Sequence, residues 1–169
     1  MRSAEVLANG FGRIGEDLRA ALDGADDALL TRRPDPDANT LAWLAWHTAR
    51  VQDAQVAPLA GVAEVWTAQG WSERFGLPFD DAATGYGQSP DEVGQVRASA
   101  ELLLGYLEAT TAQTLAYLER LADDDLDVVV DEDWDPPVTL GVRLISVLAD
   151  DLQHAGQASY LRGVLDRTR

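Results

Sequence analysis

Four stretches of this chain repeat apolar residues at steps of three and four, the period that gathers side chains on one face of an α-helix. In the first, Leu7, Phe11, Ile14, Leu18 and Leu22 make a stripe across residues 3–23. The second opens at Asn39-Thr40, a helix N-cap, aligns Thr40, Leu44, His47, Val51 and Ala54, and ends near Pro58. The third is the longest. It runs Val93, Val96, Ala100, Leu103, Leu107, Thr110, Thr114, Leu118, Leu121 behind Ser89-Pro90-Asp91-Glu92, which reads as a cap, a first-turn proline and early acids. The fourth follows Pro136-Pro137, is capped by Thr139, and aligns Leu140, Leu144, Val147, Asp151, His154, Ala158, Leu161 and Leu165. An amphipathic helix must bury its stripe against others. Four of them in 169 residues predict an all-α fold, a four-helix bundle forming a single domain over residues 1–169.

The connections are unequal. Roughly thirty residues separate the second and third helices, a length that in a compact domain is usually functional. Such a long crossover lets these two helices run parallel. It is rich in aromatics, namely Trp66, Trp71, Phe75, Phe79 and Tyr86, of which Trp66 and Trp71 are candidates to wall a pocket. The string Gly10-Phe11-Gly12-Arg13-Ile14-Gly15 matches a dinucleotide-binding fingerprint only by accident. No strand precedes it, and Gly10, Gly12 and Gly15 read as sites of close helix packing.

Composition narrows the chemistry. There are 29 acidic residues against 13 basic ones, a formal net charge of −16, and every basic residue is Arg. Nucleic acids and anionic membranes are bound through cationic contacts to phosphate, so neither is an expected partner. Without Lys there is no Schiff-base chemistry and no phosphate-binding loop of the Walker type. Without Cys there is no disulfide frame, no thiolate nucleophile and no cysteine zinc site. No signal peptide and no membrane-spanning run is evident, which predicts a cytoplasmic protein. Arg-only basicity with abundant Ala, Asp and Val fits a GC-rich bacterial genome. The acidic run Asp123–Asp135 has Val128 and Trp134 where a calcium loop needs Gly and Glu, so it reads as a solvated connection.

Both histidines, His47 and His154, lie on apolar stripes, and a buried imidazole needs a hydrogen-bond partner or a metal. Carboxylates stand beside the second. Asp150 is four residues before His154, about 40° round the helix, and Asp151 is three before it, about 60° round the other side. A His from one helix with an Asp/His pair from another makes three ligands with open positions, as catalytic zinc or a two-His, one-carboxylate iron site requires. Spacing leaves open whether Asp150 or Asp151 is the third ligand, and whether the group is instead a structural polar network.

Three stretches carry a family resemblance: Asn39-Thr40-Leu41-Ala42-Trp43-Leu44-Ala45-Trp46-His47, Val65 to Gly76, and Asp150-Asp151-Leu152-Gln153-His154-Ala155-Gly156-Gln157. Together they resemble the DinB-like superfamily, and within it the actinobacterial mycothiol-dependent group with a maleylpyruvate isomerase-like metal-binding domain. The resemblance implies that His47, Asp150 and His154 are the metal ligands, with Asp150 where many members have His and the isomerase relatives have Glu. It implies a divalent ion, zinc first and nickel, manganese or iron next, mycothiol as co-substrate, a small electrophile, and a homodimer. The expected activity is a metal-dependent thiol S-transferase. Asp151 and Gln157 are candidates to fix an imidazole tautomer, and Arg50 to meet an anionic substrate group. Two rival expectations are a metal-dependent hydrolase on the same triad and a non-catalytic helical stress-response or binding module.

Overall fold

Two threonines open the helices that carry the histidines. Thr40 Oγ1 accepts from Trp43 N at 3.0 Å and Thr139 Oγ1 from Val142 N at 3.4 Å, each satisfying a backbone donor that the first turn leaves orphaned. The computed structural model describes residues 2–168, so Met1 and Arg169 of the span read as one domain lie outside the described residues. In chain order the elements are α1 Ser3–Leu22, α2 Asp27–Leu30, α3 Leu41–Ala60, α4 Val65–Ala68, α5 Trp71–Phe75, α6 Pro90–Val93, α7 Ala100–Leu118, a 3-10 turn Asp123–Asp127, β1 Val129–Asp131, β2 Val138–Thr139 and α8 Leu140–Arg167. The fold is all-α apart from the small antiparallel β1–β2 ribbon, which pairs Val129 with Thr139 and Asp131 with Val138 across an irregularity. Among the described residues no helix is long and apolar enough to cross a membrane.

The four long helices share one core, α1 and α3 each packing against both α7 and α8. Side-chain contacts give their directions. His47 meets His154 while Gln55 meets Arg143, so α3 and α8 run antiparallel. A Cβ on Gly10 would touch Leu148 while Ala21 O accepts from Arg162, so α1 and α8 run parallel. Arg2 reaches Leu121 O while Arg19 reaches Glu108, so α1 and α7 run antiparallel. It follows that α3 and α7 are parallel, as the long crossover allows. α3 is wrapped on nearly every side: its residues 41–50 are all buried, His47, Thr48 and Arg50 included.

The crossover is not structureless. It holds α4, α5 and α6, and Trp66, Trp71, Phe75 and Phe79 pack against the core while Tyr86 stays exposed. The third stripe is likewise not one helix. Ser89 caps α6 through a reciprocal pair with Glu92, the chain turns out of helix at Gly94, and Ser99 starts α7 with a cap of its own. Val93 and Val96 are buried all the same, so the apolar pattern marks the core and not the helix continuity. Of the three glycines of α1, only Gly10 sits in a close approach: a Cβ there would lie 2.8 Å from Leu148 Cδ2, and Gly12 and Gly15 would meet nothing. Most of the acidic run is exposed. Asp123 and Asp125 accept backbone N–H groups, and Asp131 pairs with Arg143.

Candidate metal centre

His47 is held on two sides. Trp43, one turn earlier on α3, stacks on the imidazole with centroids 4.4 Å apart and planes 14° from parallel, and the Trp43 indole N–H donates to Gln88 at 2.7 Å. On the other side His47 Nδ1 hydrogen-bonds the carbonyl of Thr84. A carbonyl oxygen only accepts, so Nδ1 carries the proton and the Nε2 lone pair is left open. Gly85 makes this approach possible. Its φ is +96°, and a Cβ would stand 2.7 Å from His47 Nδ1 and 3.0 Å from the Trp46 ring. Burial lowers the His47 pKa below its ordinary value, His154 adds to this, and Thr84 and Asp150 oppose it, so the ring is a free base at neutral pH.

His154 sits at the edge of the α8 stripe, 4.7 Å from His47 between ring centroids and nearly perpendicular to it. Its Nδ1 donates to Gln157 Oε1 at 3.0 Å, which again leaves Nε2 open. Asp150 Oδ1 lies 3.7 Å from that Nε2. One donor atom from each of His47, Asp150 and His154 falls within 4.8 Å of the others, the only such set of three among the described residues. Zinc ligands about 2.0–2.2 Å from a common centre stand roughly 3.4 Å apart in a tetrahedron, so small rotations bring these donors to a divalent cation. The group could hold one: two imidazoles and a carboxylate, with both rings oriented by a hydrogen bond to the far ring nitrogen.

The choice between the neighbouring aspartates follows from helix rotation. Asp150 is half-buried at the seam of α3 and α8, in the cluster. Asp151 points to the core instead. It is 0% exposed, neither carboxylate oxygen has a hydrogen-bond partner among the described residues, and burial together with Asp150 raises its pKa well above the ordinary carboxylate range. It does not reach an imidazole, so the tautomer-fixing role considered for it falls to Thr84 and Gln157. Asp151→Ala is expected to stabilise the protein at neutral pH by about 1–2 kcal/mol, the cost of an unsatisfied buried polar group less that of a small cavity. A group whose pKa is raised by folding favours the folded state at low pH and loses that advantage as pH rises through the raised value. The gap between variant and parent is therefore expected to widen with pH. Urea unfolding at several pH values measures it, and a variant weaker than its parent at pH 8 would contradict it.

Other candidates take different places. Arg50 neither lies on the surface nor faces a substrate. It is 0% exposed, and its guanidinium bonds Glu64 at 2.9 Å, the Tyr106 hydroxyl at 3.2 Å and the carbonyls of Ala83 and Asp81 at 3.1 Å each. Trp66 and Trp71 pack on Tyr106 with centroids 5.0 and 5.7 Å away, and neither lines the cavity beside the cluster. That cavity, about 740 Å³, runs from His47 and Asp150 along α3 and α8 to Gln55 and Arg143. Sequence reasoning missed Gln55, Arg143, Thr84 and Trp134 as parts of the site. Helical spacing could have found the first two, which repeat His47 and Asp150 two turns away. A backbone carbonyl on a loop carries no such signal.

A helical protein whose two histidines and one aspartate meet at a helix seam, beside an open cavity, carries a group that could hold a cation. The chain belongs to the DinB superfamily, whose family model matches residues 11–158. A crystal structure of a conserved protein from Enterococcus faecalis is similar to it over 98% of both chains, with 34% sequence identity and a TM-score of 0.91. No curated protein matches the chain.

Proposed function

We propose that this chain is a divalent-metal-dependent thiol S-transferase in which His47, Asp150 and His154 hold the metal, zinc by preference, and a thiol of the mycothiol type is activated for attack on a small electrophile. The observation that carries this reading is the convergence of three donors, with both Nε2 lone pairs left open, on one wall of a cavity large enough for a small molecule. A bound dication would stabilise the ionised form of a thiol placed beside it. The protein's own part is orientation. Thr84 and Gln157 hold each imidazole in the tautomer that leaves Nε2 open, Trp43 fixes the His47 ring plane, and the cavity holds the reacting molecules beside the cluster. The absence of Cys agrees with a thiol brought in by the substrate.

The purified protein is expected to carry close to one equivalent of a divalent metal by elemental analysis. It is expected to conjugate mycothiol to an electrophile such as a chlorodinitrobenzene, and to lose that activity with a chelator. Ester and amide hydrolysis measured alongside decides the nearest rival: chelator-sensitive turnover that needs no thiol would replace the transferase with a hydrolase. Absence of both metal and turnover would leave a binding module.

A further inference from the structure

The cavity beside the cluster is a ladder with three unlike rungs. Because α3 and α8 are antiparallel, His47 faces His154 and Asp150, Val51 accompanies Val147, and Gln55 meets Arg143, whose Nη1 donates to the Gln55 Oε1 at 2.8 Å. The end rungs are eight residues apart on α3 and seven on α8, which at 1.5 Å per residue is about 10–12 Å. The middle is apolar. Two aromatics stand over the opening from separate loops, Tyr86 at 92% and Trp134 at 66% exposure, a large apolar area to leave in water.

The far rung is polar without being an anion trap. Arg143 already pairs with Asp131 at 2.6 Å, and two carboxylates, Asp131 and Asp150, face the cavity against this one guanidinium. An anionic head would compete with Asp131 for the same cation. The two hydrogen bonds of Arg143 nonetheless use only two of its five N–H donors, and Gln55, accepting through its oxygen, keeps its amide N–H groups. A neutral acceptor oxygen meets several donors there.

We propose that the cavity binds an elongated small molecule with three parts. A metal-seeking donor sits at the His47–His154 end, and an apolar body about 10 Å long lies on Val51 and Val147 beneath Tyr86 and Trp134. An uncharged carbonyl or hydroxyl head is held by Arg143 and Gln55. Arg143 is thus a specificity residue for the end of the substrate remote from the reaction. Only the donor end rests on the metal reading proposed above.

The test has two arms. On metal-free protein, octanamide and octanoate are titrated by calorimetry and by Trp134 fluorescence, with Trp134→Phe as the blank. Octanamide is expected to bind more tightly than octanoate, and Arg143→Met to weaken octanamide about tenfold, the effect of one hydrogen bond from a charged donor. Val147→Phe, which fills the middle rung, is expected to abolish binding. On cobalt-loaded protein, the thiolate-to-cobalt absorption band is followed with 2-mercaptoacetamide and 8-mercaptooctanamide, and the longer thiol is expected to bind at least about tenfold more tightly. Failure of octanamide to bind, or binding indifferent to Arg143→Met, overturns the proposal, and so does cobalt protein that does not distinguish the two thiols. Octanamide binding that depends on Arg143 in a protein that takes up no cobalt supports the ladder and overturns the metal reading alone.

Discussion

Arg50→Met is expected to cost about 3–5 kcal/mol of folding stability, the range for removing one partner of a buried charge pair. The guanidinium is 0% exposed and so is the Asp53 carboxylate, 3.7 Å away. Asp53 is not a simple counter-ion. It accepts Val65 N at 2.9 Å, Trp66 N at 2.8 Å and the Tyr106 hydroxyl at 2.8 Å, which opens α4 and ties it to α3 and α7. Burial raises the Asp53 pKa and those three bonds with Arg50 pull it back, while burial pushes the Tyr106 hydroxyl far up, so Tyr106 remains a donor. Removing the cation leaves the carboxylate with its three hydrogen bonds but buried without its counter-charge. It also frees the carbonyls of Asp81 and Ala83 just before Thr84, whose own carbonyl sets the His47 tautomer. Two effects should therefore appear together: a lower urea midpoint, and loss of the single His47 tautomer in imidazole nitrogen NMR. Arg50→Lys keeps the charge but offers one ammonium in place of a planar fork, and it is expected to recover less than half the lost stability. A midpoint unmoved by Arg50→Met would show that the crossover holds itself in place.

The apolar stripes of the four long helices and the caps of the two that carry the histidines are legible in the sequence because each follows from local periodicity or local cap chemistry. Thr40 and Thr139 act as the caps their placement implies. Periodicity has a limit at the third stripe, where Val93 and Val96 are buried without being joined to α7 by helix. Apolar spacing records what faces the core, and a capped loop can face it as well as a helix. The side of α8 that each aspartate takes is a matter of about 100° per residue, finer than a stripe drawn through Asp151 and His154 can decide. That stripe places Asp151 in the core, where it is, and His154 at its rim, where it meets Asp150 and His47. Arg50 was illegible for another reason. Apart from Asp53 one turn on, its partners are two loop carbonyls, a tyrosine on α7 and a glutamate before α4, brought to it only by the crossover's path and the packing of α7.

His47→Ala and His154→Ala are each expected to weaken divalent-metal binding by more than the about 10–100-fold that loss of an outer hydrogen-bond partner costs, because each removes a donor outright. Gln157→Leu is the outer partner and belongs in that intermediate range: it leaves His154 in place and removes the acceptor that keeps its Nδ1 protonated. Asp150→Asn tests the carboxylate, and Asp151→Ala serves as the control one position away that does not face the cluster. Competition with a chromophoric chelator gives the order directly. The expected ranking places the two histidine variants lowest, then Asp150→Asn, then Gln157→Leu, with Asp151→Ala equal to the parent. The pH dependence adds a sign. A metal competes with protons for each imidazole, and burial holds the His47 pKa below its usual 6.5, so His47 remains a ligand at a pH where an exposed imidazole is half-protonated. Gly85→Val would intrude on His47 Nδ1, and pushing the loop away exposes the ring to water. This variant should raise the pH below which metal is lost without removing any ligand. If Asp151→Ala loses the metal and Asp150→Asn retains it, the two aspartates exchange roles, and α8 must rotate on binding by about the 100° that separates neighbouring residues.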